Sequence, residues 1–231
     1  EHNLDYRGYD YFPYLVDFLA RGTRIPMALQ LDHGTNIVSI MKAVRAGFTS
    51  IMVDCAQETL EENISRTNRA AELLTPLGIS VEAEVGNIIK SSEEEGKSAP
   101  TTNVAEVKKF SEEAHVDMLA VAIGTTHGIF EMQTNVDLDL LADIDKVTDI
   151  PLVLHGTCGL PYNLVAESVK RGINKVNFGE VFRLNYIKYF NELSRDLDHE
   201  GHAWKIMQEC KNRLKEDIKE IIKTLGSDGR A

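Results

Sequence analysis

The sequence predicts a parallel α/β fold, with the sheet either open or closed into a barrel. Three observations predict it. Short apolar runs alternate with longer amphipathic stretches in a βαβα rhythm. Several of these runs are apolar at consecutive positions, as strands covered on both faces must be. The chain has 231 residues, 43% of them hydrophobic and 26% charged, which suits one large globular domain somewhat under the size of a barrel of about 250 residues.

In chain order, the candidate strands are Met27–Leu31, Ser50–Asp54, Ile79–Val85, Asp117–Ile123, Pro151–His155 and Lys175–Phe178. Between them, apolar residues recur at helical spacing in Asn36–Ala46, Leu60–Thr75, Asn103–Ala114, Leu138–Val147 and Tyr162–Arg171. Gly47, Gly78 and Gly172 stand where a helix must stop before the next strand. Two further helical patterns follow the last strand, about Glu180–Ser194 and Ala203–Leu225. The second interleaves Lys205, Lys211, Lys215 and Lys219 with Glu209, Glu216 and Glu220. It reads equally as a solvated outer helix with i,i+4 ion pairs or as a subunit-pairing arm. The polar stretch Lys90–Thr102 is expected to be a mobile loop, and Gly226–Ala231 a frayed tail. No linker divides the chain, so residues 1–231 are read as a single domain with 203–225 as a C-terminal helical extension.

The net charge of −11 argues against broad contact with nucleic acid or an anionic membrane. The three cysteines, Cys55, Cys158 and Cys210, are widely spaced and odd in number, which fits a reducing cytoplasm rather than a disulfide framework. No apolar run approaches the roughly 20 residues that span a bilayer, and the opening residues are not a signal peptide.

The chemistry collects at strand ends. His33, His127 and His155 each fall at the C-terminal end of a predicted strand, and each is followed by glycine: Gly34, Gly128 and Gly156. Parallel α/β folds bind ligands on that side of the sheet. Three imidazoles with an open fourth position can hold a catalytic zinc, whereas a single histidine would read as a buried residue satisfied by backbone. Acids end strands too: Asp32, Asp54, and the pair Glu82 and Glu84. Strand alternation separates Asp32 from His33 unless the strand twists out at its end. Glu82 and Glu84 share one face. Facing inward, they would line the sheet near a cation, and for Glu82 an ion pair with Lys175 is the alternative. The glycine-bearing segments Gly156-Thr157-Cys158-Gly159 and Gly179-Glu180 follow the last two strands, where a barrel often cradles a phosphate on backbone N–H groups and a helix N-terminus.

Taken together, these segments resemble the class II, metal-dependent ketose-bisphosphate aldolases, the fructose- and tagatose-bisphosphate aldolase family. The matching pieces are Leu31-Asp32-His33-Gly34, Gly47 to Asp54, Glu61-Glu62-Asn63-Ile64, Val81 to Gly86, Ala120 to Gly128, Leu152 to Gly156 and Lys175-Val176-Asn177. They stand in the family's order, and the closing Leu225 to Ala231 is similar as well.

The resemblance implies a TIM (β/α)8 barrel with zinc on His33, His127 and His155. It implies that Asp54 and Glu84 belong to a second, movable cation position, divalent or monovalent. Asp32 becomes the acid/base group that takes the C4 hydroxyl proton during cleavage, while zinc stabilises the enediolate of the ketone fragment. A loop glutamate then protonates that fragment, and Glu94 is the expected residue, with Glu93 second. The substrate contacts are Gly128, Gly156, Thr157, Cys158, Gly159, Asn177, Gly179 and Glu180. The implied protein is a cytoplasmic homodimer or homotetramer of carbohydrate metabolism and glycolysis, cleaving a phosphorylated sugar to dihydroxyacetone phosphate and an aldehyde.

The sequence departs from the family pattern in its cradle. Thr157-Cys158 replaces a Gly-Ser pair and Glu180 replaces a threonine. A carboxylate beside a phosphate is repulsive, so the same chemistry on a changed substrate is an alternative, and a non-catalytic metal-binding homologue is a third. Aligned on the resemblance, Tyr11–Arg21 is the helix before the third barrel strand. The first two strands are then absent, and the natural protein is expected to carry roughly 50–60 further N-terminal residues, about two βα units.

Overall fold

The computed structural model describes Leu4 and residues 8–86, 101–128, 136–195 and 202–230. A helix, α1 (Tyr11–Ala20), precedes six βα repeats: β1 (Gln30–Gly34), α2 (Ile37–Ala46), β2 (Ser50–Val53), α3 (Leu60–Leu74), β3 (Ser80–Val85), α4 (Val104–Glu113), β4 (Met118–Val121), α5 (Leu138–Asp145), β5 (Leu152–Leu154), α6 (Tyr162–Lys170), β6 (Ile173–Val176) and α7 (Glu180–Ser194). A short 3-10 turn, Thr75–Leu77, extends α3, and α8 (Ala203–Thr224) follows α7.

Local sequence explains where the helices begin. The side chains of Asn36, Thr59, Asn103 and Asp137 each accept a backbone N–H of the first turn, satisfying donors that have no partner within the helix. The strands form one parallel sheet in sequential order, β1-β2-β3-β4-β5-β6. Leu31, Ile51, Val53, Val81, Ala83, Val85, Leu119, Val121, Leu152, Leu154 and Ile173 are almost wholly buried in two apolar clusters between sheet and helices.

The sheet is strongly curled. In a flat parallel sheet, β1 and β6 would stand about 24 Å apart, at about 4.8 Å per step. Instead Asn177, just past β6, brings Nδ2 within 3.4 Å of Asp32 Oδ1 on β1. Gln30 of β1 and Lys175 of β6 also both reach Glu82 Oε2 on β3, at 3.0 and 2.7 Å.

Two strands are displaced from their expected limits. The first is Gln30–Gly34, not Met27–Leu31, because its parallel partner starts at Ser50 and pairs first with Gln30. The last is Ile173–Val176, not Lys175–Phe178, since Ile173 pairs with Leu152. The tail expected to fray is instead tied back at Ser227, whose N–H bonds Ile222 O at 3.0 Å. Of the expected loop Lys90–Thr102, only Thr101 and Thr102 are described. Thr102 is pinned there by donating to Val85 O and accepting from Ala122 N. Helix α8 buries Cys210 and Ile221 and leaves Trp204 and Met207 exposed.

Candidate active site

The site is built on the C-terminal ends of all six strands, β1 to β6. The pairing between β1 and β2 slips by one residue between Leu31 and Gly34, and His33 takes a left-handed backbone, φ 54°. Such a bulge re-aims a side chain. Asp32 therefore meets Asn177 while His33 Nδ1 bonds Asp54 Oδ2 at 2.7 Å, both toward the inside of the curl. The slip needs Gly34, where a Cβ would lie 2.9 Å from Met52 O.

A second close approach sets the other two histidines. Gly156 has φ +67°, and a Cβ there would lie 2.8 Å from Thr126 O. Thr125 Oγ1 donates to His155 O at 2.9 Å. These contacts lock the chain after β4 against the chain after β5.

The three imidazoles consequently converge. Ring centroids are 5.2 Å apart for His33 and His127, 5.3 Å for His33 and His155, and 5.7 Å for His127 and His155. One nitrogen from each lies within 4.8 Å of the others. That spacing and donor set fit a divalent metal such as zinc.

Outer partners select the nitrogens. His155 is fully buried, and its Nε2 lies 2.9 Å from Glu82 Oε1 and 3.1 Å from Asn177 Nδ2, while its Nδ1 is buried with no hydrogen-bond partner. An Nε2–H donated to the carboxylate leaves the Nδ1 lone pair for a metal, the carboxylate–histidine arrangement of metal sites. At His33, Nδ1 is the nitrogen engaged by Asp54. Burial pushes the His33 imidazole down, but the Asp54 bond and the charges of Asp32, Asp54 and Glu84 outweigh it and raise its pKa. Burial likewise pushes the Asp54 carboxyl up, and the His33 bond overrides it and lowers the pKa. For Glu82 burial is again the largest influence, yet the His155 bond and the Lys175 charge hold the carboxyl at about 2.

Glu82 and Glu84 both face inward and are buried. The Glu82–Lys175 ion pair weighed from the sequence is present at 2.7 Å. Glu84 lies near the histidines, and its backbone oxygen accepts Asn63 Nδ2 at 2.8 Å. Asp32 is exposed at the mouth. Gly128 follows His127, and Gly156, Thr157 and Cys158 are buried beneath the rim with Gly159 half-buried. Gly179 and Glu180 open α7. The Thr157 hydroxyl donates to Asn177 O at 2.7 Å. Glu94 and Glu93 lie outside the described residues. Gln30, Thr102 and Thr125 were not singled out from the sequence as site residues, and only their cross-strand hydrogen bonds reveal that they brace it.

Comparison with known proteins places this site in a family. Residues 1–230 match the family described as "Fructose-bisphosphate aldolase class-II". The fructose-bisphosphate aldolase of Helicobacter pylori strain J99 is 34% identical over 254 aligned positions, covering 98% of this chain and 83% of that protein. A sulfofructosephosphate aldolase of Alkalicoccus urumqiensis is 30% identical, covering 94% and 77%. The crystal structure of the YdjI aldolase from Escherichia coli K12 superposes with a TM-score of 0.82 at 27% identity, covering 96% of this chain and 78% of that one. The chain belongs to the class II fructose-bisphosphate aldolase family, with a TIM-like α/β fold and the aldehyde-lyase activity of that family.

Proposed function

We propose that the protein is a zinc-dependent aldolase that reversibly cleaves a phosphorylated ketose to dihydroxyacetone phosphate and an aldehyde. The observation that carries this reading is the convergence of His33, His127 and His155 within 4.8 Å at the strand ends, beside the exposed carboxylate of Asp32. His33, His127 and His155 would hold the zinc, and Asp54 and Glu84 would serve a second cation. When bound, the zinc supplies Lewis-acid stabilisation of the negative charge that develops on the ketone fragment.

Asp32 is the base for the hydroxyl proton. It stands at the open mouth, where a substrate can reach it, and Asn177 Nδ2 at 3.4 Å orients it. Asn177 contacts the ketone fragment, and Glu94, in its protonated form, gives a second proton to the carbon released by C–C cleavage. Gly128, the segment Gly156 to Gly159, and Gly179-Glu180 line the far end of the substrate. We further propose that the curl continues into a closed barrel in which β1–β6 are the third to eighth strands and 203–225 is an appended helix. The convergence of Gln30 and Lys175 on Glu82 supports this. Three free cysteines fit a cytoplasmic enzyme, and the proposal includes a homodimer or homotetramer.

A second reading keeps this chemistry but changes the sugar. Thr157 has its hydroxyl committed to Asn177 O, Cys158 is a weak donor, and Glu180 brings a carboxylate to the first turn of α7, an unfavourable neighbour for a phosphate dianion. Zinc analysis of the purified protein, with cleavage assays on fructose bisphosphate, tagatose bisphosphate and sulfofructose phosphate, tests both. Bound zinc with cleavage of a bisphosphate supports the first reading. Cleavage of the sulfonated sugar alone supports the second, and absence of zinc overturns both.

A further inference from the structure

Lys175 occupies a junction that the proposed chemistry leaves unexplained. Its Nζ donates to Glu82 Oε2 at 2.7 Å and to Asn177 Oδ1 at 2.7 Å. Resting on the reading of the site given above, we propose that Lys175 is a positioning residue whose one ammonium sets both the metal-ligating nitrogen of His155 and the amide orientation of Asn177.

An ammonium has donors only, so the Asn177 atom that faces it must be the carbonyl oxygen. The amide nitrogen is then turned to the opposite side, where it lies 3.1 Å from His155 Nε2 and 3.4 Å from Asp32 Oδ1. Exchange of the two amide atoms would turn an oxygen toward the Asp32 carboxylate, a repulsive contact. Lys175 thereby aims a donor at the base without touching it.

The second arm runs through Glu82. Oε2 is occupied by Lys175 and by Gln30 at 3.0 Å, which leaves Oε1 for His155 Nε2. The Glu82 side chain is fully buried, while that of Lys175 is 29% exposed. The lysine therefore enters from the rim to neutralise a carboxylate that would otherwise be an uncompensated interior charge. With that carboxylate held in place, Oε1 and the Asn177 amide both engage His155 at Nε2, and Nδ1 is the nitrogen left without a hydrogen-bond partner. One residue on β6 thus links the ligand end of β5 to the base on β1, and it can do so only because the sheet curls.

The test compares Lys175→Met, which keeps the stem and removes the donors, with Lys175→Arg, Glu82→Gln and the double variant Lys175→Met/Glu82→Gln. Ring ¹⁵N NMR of the metal-free protein reads the His155 tautomer, chelator competition reads Co²⁺ affinity, and steady-state cleavage of fructose bisphosphate reads kcat and KM. In K175M the His155 signals should move from one tautomer toward a mixture, and Co²⁺ affinity should fall roughly 10–100-fold, as for other outer partners of metal ligands. The kcat should fall by a similar factor with KM little changed. The losses of Co²⁺ affinity in K175M and E82Q should be non-additive in the double variant, and Lys175→Arg should recover part of each loss.

If K175M does not fold, the double variant carries no stranded carboxylate and is compared with E82Q. A further drop in kcat then reports the Asn177 arm, and no drop overturns that arm. Wild-type tautomer, Co²⁺ affinity and kcat in K175M would overturn the proposal. Failure of the wild-type protein to bind Co²⁺ would instead sink the metal-centre reading, while the tautomer measurement still decides the role of Lys175.

Discussion

The two faces of β3 have opposite chemistry. Outward, Val81, Ala83 and Val85 of β3 join the dry clusters under the helices. Inward, Glu82 and Glu84 of the same strand are equally buried but charged. Alternation along one strand separates two jobs by a single residue. The outer face removes apolar surface from water and supplies most of the stability. The inner face holds carboxylates that cost desolvation and persist only because histidine, lysine and amide partners meet them. Damage to the outer face should therefore register as lost stability, and damage to the inner face as lost metal or turnover.

The sharpest test of this contrast is His155→Ala. Zinc content measured by elemental analysis should fall close to zero. Turnover should fall by more than the roughly 10–100-fold expected for an outer partner. Asp32→Ala comes next: kcat should drop roughly 10²–10⁴-fold, the range for a lost acid/base group, with zinc content unchanged. Zinc loss on this substitution would show that Asp32 belongs to the metal set instead.

On the outer face, Phe110 is completely buried beneath the sheet. Phe110→Ala should cost about 3–5 kcal/mol in denaturant unfolding, while the folded fraction keeps its full zinc. If the folded fraction lost its metal, the two faces would not be separable. The smallest effect belongs to neither face. Lys146 pairs with Asp143 at 2.8 Å on the surface, with both side chains well exposed, so Lys146→Ala should leave the melting temperature within about a degree.

Much of this layout was legible in the chain. Element order and type followed from local periodicity, and Gly47 and Gly78 marked where helical segments stop. His33, His127 and His155 could be nominated together because a histidine-glycine pair at a strand end is a local signal repeated three times. The limits of β1 and β6 were read wrongly by two or three residues, since a strand's ends depend on what its neighbour offers for pairing. Gln30 is not legible as a site residue, because nothing near it in sequence shows the carboxylate 52 positions away that accepts its amide.

The sequence by itself determined the alternation of strands and helices, the apolar outer face and the placing of histidines and acids at strand ends, because each is written in the spacing of neighbouring residues. The tertiary structure alone decided that Asp32 and His33 could both face inward, which nitrogen of His155 is left for a metal, and that Lys175 joins Glu82 to Asn177. Those outcomes depend on a one-residue bulge and on the curl that brings β1 and β6 together. Both arise from packing between segments far apart in the chain.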